Sequence, residues 1–146
     1  MISISKLTED DRAGWERLFR AYIAFYEREL PQAVYDQSWQ RFQAATEIHA
    51  LGAKLDGELV GITHFLKHPH TNGPDVCYLQ DLFTSPEARG KGVARALIAA
   101  VAEWAREQGC ARVYWSTRES NTTARRLYDQ VATFDGFILY KLGLDG

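Results

Sequence analysis

The sequence predicts an α/β fold in which helices flank a mixed β-sheet. Three observations support this prediction. Apolar residues change between helical and strand spacing in the order β-α-α-β-β-β-α-β-α-β. The dipeptide Asp56-Gly57 joins two strands in a tight hairpin, which makes that part of the sheet antiparallel. Strands at 75–84 and 111–117 are separated by a helical segment, and such a crossover makes them parallel neighbours.

The first third of the chain predicts one strand followed by two helices. Residues 2–7 form a short apolar strand, and Thr8 with Asp11 resembles a capping box at the start of a helix. Pro31 suits the first turn of a second helix. The apolar positions at helical spacing are Trp15, Leu18, Phe19, Tyr22, Ile23 and Tyr26 in the first helix and Val34, Tyr35, Trp39 and Phe42 in the second.

After the hairpin and the strand at 75–84, the chain alternates between helix and strand. Residues 93–104 carry one apolar helical face, and Gly109 is well placed as its C-terminal cap. Asn121 begins a short helix, and "GFILYKL" (136–142) is predicted to be a closing strand. The 146 residues fall within the usual size of one domain, which we expect to span residues 1–146.

Composition and charge exclude several classes of function. The net charge of −2 lacks the strongly basic balance expected of a protein that binds nucleic acid. No apolar run is long enough to span a bilayer, and the N-terminus lacks the pattern of a signal peptide. Cys77 and Cys110 form neither a CxxC pair nor a disulfide framework. We therefore expect a cytoplasmic protein that binds neither nucleic acid nor a membrane.

The stretch "SPEARGKGVARAL" indicates an anion-binding loop. Gly90 and Gly92 lie directly before a helix, and the cations beside them are Arg89, Lys91 and Arg95. Unpaired N–H groups at a helix start can bind a pyrophosphate, and glycines let the backbone approach it closely. The spacing fits neither the Walker loop nor the dinucleotide fingerprint G-x-G-x-x-G.

The same stretch resembles the motif Q/R-x-x-G-x-G/A of the GNAT superfamily of acyl-CoA-dependent N-acetyltransferases. It follows the strand "LQDLFTSPEA" and precedes a helix, and the resemblance covers most of the chain. It implies acetyl-CoA as cosubstrate and a sheet that splays between two parallel strands. The pantetheine arm is then expected to bond to the edge of the first strand. The residues expected to bind acetyl-CoA are Leu82, Phe83, Thr84, Arg89, Gly90, Lys91, Gly92, Val93, Ala94 and Asn121.

A second motif supplies the expected catalytic residue. "ESNTTARRLYDQVA" resembles the N-x-x-A-x-x-[LFY]-Y helix of the same family. The resemblance implies that Tyr128 protonates the departing sulfur of CoA. Tyr128 and Asn121 share a helix face at this spacing. The alternatives are a core aromatic residue for Tyr128 and a simple helix cap for Asn121.

The group that takes the proton from the amine stays open. Polyamine-type relatives have Glu where this sequence has Gln80, and an amide is no useful proton acceptor. Asp81, Glu119 or His64 could act through water, or the enzyme could bind the small neutral fraction of the amine. Strand alternation directs Asp81 away from the face of Gln80, which favours a structural role for Asp81.

The long ending "LYDQVATFDGFILYKL" resembles the polyamine and histone N-acetyltransferase-like branch. The resemblance implies direct acetyl transfer to a primary amine of a small or flexible basic acceptor, and a homodimer. Glu27, Glu29 and Asp36 are candidates to attract such a cation. Two other functions stay open: a non-catalytic acyl-CoA-binding sensor, and an acetyltransferase of protein lysines or N-termini.

Two further groups of residues invite other chemistry. His64, His68 and His70 cluster without a cysteine or carboxylate to complete a zinc set, so no metal is expected. Cys77 has no histidine at a telling spacing, and an apolar strand cysteine is a better interpretation than an acyl-cysteine nucleophile.

Overall fold

The computed structural model describes residues 1–144 and divides the chain into two compact units. Unit 1 is Met1–Trp115, and unit 2 begins at Ser116. The single domain over 1–146 stays a prediction, and its last two positions, 145 and 146, lie outside the described residues. Within the described part, no helix is both long and apolar enough to cross a membrane.

Unit 1 holds a five-stranded mixed sheet and three α-helices. The strands lie side by side in chain order: β1 (Ile2–Ser5), β2 (His49–Leu55), β3 (Glu58–His70), β4 (Gly73–Thr84) and β5 (Val113–Tyr114). The helices are α1 (Arg12–Phe25), α2 (Gln32–Ala44) and α3 (Val93–Glu107). The pairs from β1 to β4 are antiparallel and the β4–β5 pair is parallel, as predicted.

The predicted turns and caps form by local chemistry. The Thr8 N–H donates to Asp11 Oδ2 at 2.8 Å, which is one half of the predicted capping box. Asp56 and Gly57 have φ of 53° and 87°, the positive values that a two-residue hairpin turn requires. At the end of α3, Gly109 has φ of 78° and the Cys110 N–H donates to the carbonyl of Ala105, which completes a Schellman cap.

The core of unit 1 has two layers. Aromatic residues of α1 and α2 form one cluster with Ile62 and Phe83 of the sheet, and α3 packs with Ala53 and Val60 in another. Gly61 sets the approach of α3 to β3, because an added Cβ would lie 2.6 Å from Cγ1 of Val93. The absence of a side chain there brings the first turn of α3 against the sheet.

Two predicted strands differ from the structure. The strand at 111–117 is shortened to Val113–Tyr114, and the closing strand at 136–142 is wrong, since residues 132–144 form neither helix nor strand. That segment has four apolar residues in succession, "FILY", which fits only a strand covered on both faces. The described part of unit 2 offers no neighbouring strand, so the segment stays uncovered. Its regular element is α4 (Thr122–Val131).

Candidate active site

The loop before α3 has the geometry of an anion site. Gly90 and Gly92 have φ of 79° and 84°, and nothing lies within 4 Å of a Cβ built on either of them. Gly92 is the N-cap of α3 and brings no side chain to its first amides. The first intrahelical bond runs from the Ala96 N–H to the Gly92 carbonyl, so the amides of Val93 and Ala94 precede the helical ladder. These amides suit a pyrophosphate at the positive end of the helix dipole.

The side chains around this loop are of two kinds: a buried apolar residue that packs on the sheet, and exposed cations. Val93 is buried against the sheet, so it can meet a ligand only through its N–H group. Lys91 and Arg89 are exposed. Arg89 also reaches back to β4, where its Nε donates to the Thr84 carbonyl at 3.4 Å and its guanidinium lies 5.8 Å from the Phe83 ring. The loop is therefore held to the end of β4.

The edge of β4 next to the loop is open. β5 pairs with β4 only at Cys77–Val113 and Tyr78–Tyr114, and β4 continues through residues 79–84 without a strand on that side among the described residues. An open strand edge can accept an extended ligand through main-chain hydrogen bonds. Leu82, Phe83 and Thr84 lie on this edge, where the sequence predicted the pantetheine arm.

Thr84 carries the clearest sign of a missing partner. Its Oγ1 is buried and has no hydrogen-bond partner, the one such side-chain atom among the described residues. Thr84 pairs with Gly61, on the face that carries the N-terminus of α3. A buried hydroxyl without a partner costs about 1–3 kcal/mol, which a ligand with polar groups would recover.

A β-bulge at Gln80 determines which side chains near the end of β4 lie on each face of the sheet. Leu79 pairs with Phe65 and Asp81 pairs with His64, so Gln80 is the extra residue. In a regular strand Leu79 and Asp81 would share a face. The bulge separates them: Phe65 packs on Trp104 of α3 at 4.9 Å between ring centroids, and His64 faces α1 and α2.

Asp81 belongs to a buried polar cluster that the sequence did not reveal. Trp15 Nε1–H donates to His64 Nε2 at 3.0 Å, and His64 Nδ1 lies 2.9 Å from Asp81 Oδ2. The ring of Phe42 stacks on the imidazole at 4.3 Å. Burial together with the nearby Asp81 charge raises the pKa of the Tyr22 hydroxyl. His64 is 1% exposed, which removes it as a base that meets the acceptor directly.

In unit 2, the predicted residues of the second motif share α4. Asn121 is its N-cap, and Asn121 Oδ1 accepts from the Ala124 N–H at 3.5 Å, so the predicted capping role is confirmed. Asn121 Nδ2 also donates to Thr117 Oγ1 at 3.3 Å. Tyr128 lies two turns further along α4 and is half-buried. Its catalytic role stays a prediction, as does the contact of Asn121 with acetyl-CoA.

The other candidate groups have structural surroundings. His68 Nε2 lies 2.7 Å from the Tyr114 hydroxyl, and the described residues contain no group of three potential metal ligands. Burial and the nearby Cys110 raise the pKa of Cys77 to about 12, so its thiol is a poor nucleophile near pH 7. Asp36, one of the predicted cation attractors, forms an ion pair with Arg12, which neutralises its charge.

The sequence of this chain is similar to those of acetyl-transfer enzymes. Residues 15–134 match the Acetyltransferase (GNAT) family. The D-amino-acid N-acetyltransferase HPA3 of Saccharomyces cerevisiae is 32% identical over 96% of this chain and 89% of that protein. An aminoglycoside N(6')-acetyltransferase type 1 of Stenotrophomonas maltophilia is 30% identical over 84% of this chain and 79% of that protein.

Solved structures share the fold over almost the whole chain. AAC(6')-Iy in complex with the bisubstrate analog CoA-S-monomethyl-acetylneamine has a TM-score of 0.86, with 21% identity and 99% of both chains covered. Ribosomal-protein-alanine N-acetyltransferase from Brucella melitensis biovar Abortus 2308 has a TM-score of 0.81, with 25% identity over 99% of this chain and 100% of that chain. The predicted fold class is therefore confirmed.

Proposed function

We propose, since the chain belongs to the acetyltransferase (GNAT) family, that it moves the acetyl group of acetyl-CoA directly to a primary amine of a small or flexible basic acceptor. Membership in this family makes the protein an acyl-CoA-dependent N-acetyltransferase. The chemical class of the acceptor is our proposal. Relatives named for aminoglycosides, D-amino acids and thialysine support a small-molecule amine.

The observation that carries acetyl-CoA binding is the buried, unpartnered Thr84 hydroxyl between the open β4 edge and the glycine loop. We infer that residues 82–84 hold the pantetheine arm and that Gly90, Gly92 and the first amides of α3 hold the pyrophosphate. Arg89 and Lys91 add positive charge on the solvent side. Asn121 is proposed to contact the same ligand beyond its role as a cap.

The chemistry needs a neutral amine and an acid for the departing thiolate. When bound, acetyl-CoA supplies an activated acetyl thioester. An alkylamine has a pKa near 10.4, so an acceptor reaches the site mainly as an ammonium ion near pH 7 and must first lose one proton to solvent. The neutral amine nitrogen then forms the new bond to the carbonyl carbon as the carbon–sulfur bond breaks, and the nitrogen gives up a second proton to solvent. We propose that the Tyr128 hydroxyl donates a proton to the sulfur and regains one from solvent before the next turnover.

A screen of acceptors tests this function. The enzyme is incubated with acetyl-CoA and spermidine, a lysine-containing peptide, aniline or an alcohol, and CoA release is followed with a thiol reagent. We expect turnover with spermidine or the peptide and none with the alcohol. Preference for aniline or the alcohol would contradict the basic acceptor. Binding of acetyl-CoA without turnover of any amine would favour the sensor instead.

We also propose that the protein is a homodimer in which the C-terminal segment of one copy covers a second copy. The segment 137–144 exposes large apolar residues, each between 70% and 90% accessible: Phe137, Ile138, Leu139, Tyr140, Leu142 and Leu144. Large apolar side chains exposed this densely along a short segment indicate an interaction site. Among the described residues β5 is the last strand of the sheet, and an extended segment of a second copy can add to its outer edge.

We further propose that the protein works in a reducing compartment such as the cytoplasm, because Cys77 and Cys110 are free thiols.

Sedimentation analysis tests the homodimer. We expect the unchanged protein to sediment as a dimer and the double change Ile138→Asp with Tyr140→Asp to shift it to monomer, because two charges would enter an apolar contact. Phe25→Asp, which places a charge at an exposed apolar residue of α1, should leave the dimer intact. A monomer at every concentration of the unchanged protein would contradict the proposal.

A further inference from the structure

The buried cluster of Trp15, His64 and Asp81 has a fixed direction of hydrogen bonding. An indole N–H only donates, so His64 Nε2 must accept and therefore carries no proton. The single proton of the neutral imidazole then lies on Nδ1, which donates to Asp81 Oδ2 at 2.9 Å. Trp15 and His64 are 0% and 1% exposed, so water does not compete for these bonds. The chain of donors ends at the carboxylate.

Asp81 is the member of this cluster that can meet a ligand. Its side chain is 17% exposed, while the imidazole behind it is sealed. His64 donates to it as a neutral group and supplies no positive charge. Tyr22 is close enough for the Asp81 charge to raise the pKa of its hydroxyl, and the Tyr22 ring lies 6.0 Å from that of Phe83. A carboxylate with a neutral donor behind it and aromatic residues nearby suits a cation.

The position of Asp81 identifies the cation. Asp81 directly precedes residues 82–84, the edge proposed to hold the pantetheine arm, and shares a sheet face with Phe83. The bulge at Gln80 turns it to the side of α1 and α2, away from α3. We propose that Asp81 binds the ammonium group of the acceptor, and that Trp15 and His64 are positioning residues that aim this carboxylate. This inference rests on the proposed function and names its acceptor class: primary alkylammonium compounds.

Binding measurements separate this inference from acetyl transfer itself. Calorimetry is performed on the CoA-saturated enzyme with spermidine, lysine amide and ethylamine, and with 1,4-butanediol as an uncharged probe. We expect at least one amine to bind and the diol not to bind. Asp81→Asn should weaken amine binding at least tenfold and leave the affinity for CoA within twofold. Asp75→Asn, which removes the same charge from the start of β4, should leave amine binding within twofold.

The positioning role of His64 has its own test. A conservative variant that keeps the hydrogen bonds separates the orientation of Asp81 from the packing of the side chain. His64→Gln keeps an acceptor for Trp15 and a donor for Asp81, whereas His64→Leu removes both. We expect His64→Leu to raise the KM of the amine at least tenfold and His64→Gln to restore it to within threefold. The KM of acetyl-CoA should stay within twofold in both variants. Urea unfolding of each variant reports on the fold separately.

The outcomes are distinguishable from failure of the proposed function. If CoA binds but none of the amines does, or if Asp81→Asn binds the amines as tightly as the unchanged protein, the ammonium site is wrong while the acetyl-CoA site stands. If His64→Leu and His64→Gln have the same KM for the amine, the positioning role is wrong. If neither CoA nor acetyl-CoA binds, the proposed function itself fails.

Discussion

Tyr128→Phe is expected to lower kcat about 100-fold or more, the usual scale for loss of a general acid, while acetyl-CoA binds as before. The change removes one hydroxyl from α4 and keeps the ring, so the apolar contacts of the side chain are retained. Without the hydroxyl, the thiolate must leave without a proton from the enzyme. Steady-state kinetics with spermidine and calorimetry with acetyl-CoA give the two quantities.

A matched variant separates chemistry from packing in this experiment. Tyr35→Phe removes a hydroxyl from α2, where the ring is 2% exposed and packs edge-on against Phe19. We expect kcat of Tyr35→Phe within twofold of the unchanged protein. If Tyr128→Phe behaves in the same way, Tyr128 is a core aromatic residue and another donor or bulk water serves the sulfur.

The parts of the fold that the sequence predicts well depend on local chemistry. The turn at Asp56-Gly57 needs residues that tolerate positive φ, and the cap at Gly109 needs a residue without a Cβ. The loop at Gly90 and Gly92 combines the same requirement with a following amphipathic helix. Each signal lies within a few neighbouring residues, so a single sequence suffices to find it.

The polar cluster under β4 could not be predicted because its members meet only through the tertiary fold. Trp15 and His64 are 49 positions apart, and His64 and Asp81 are 17 apart. Their meeting depends on the register of β3 with β4 and on the bulge at Gln80, neither of which has a mark in the sequence. Strand alternation alone gave Asp81 a structural role, and the structure adds a partly exposed carboxylate beside Tyr22.

The acidic residues chosen from the sequence as cation attractors have other surroundings. Asp36 is paired with Arg12 and accepts from Gln32, and Glu27 and Glu29 are exposed in the turn that follows α1. Local charge in a helix says little about binding, because most such residues are solvated or paired. The failure of the strand at 136–142 has a similar cause: strand propensity cannot supply the partner that a strand needs.

Gly92→Glu is expected to reduce the affinity for acetyl-CoA at least tenfold, about 1.4 kcal/mol in binding free energy. Gly92 is the N-cap of α3, and nothing lies within 4 Å of a Cβ added there, so the new side chain enters the space proposed for the pyrophosphate. A carboxylate at that point opposes the phosphate charges and competes for the first amides of the helix. Calorimetry with acetyl-CoA measures the change.

Two companions separate charge from backbone strain at this loop. Gly92 has φ of 84°, where a side chain costs about 1–2 kcal/mol, so Gly92→Ala reports the strain without the charge. Gly109→Glu adds the same charge and similar strain at φ of 78°, beyond the other end of α3. Unfolding should show the loss of stability from backbone strain in Gly92→Ala and Gly109→Glu, and a smaller loss in Gly92→Glu, whose carboxylate lies at the positive end of the helix dipole. We expect the tenfold loss of acetyl-CoA affinity in Gly92→Glu, a smaller loss in Gly92→Ala, and none in Gly109→Glu.

An unchanged affinity in Gly92→Glu would contradict the placement of the pyrophosphate at this loop, because no other feature of the substitution could hide the repulsion between two negative groups in contact.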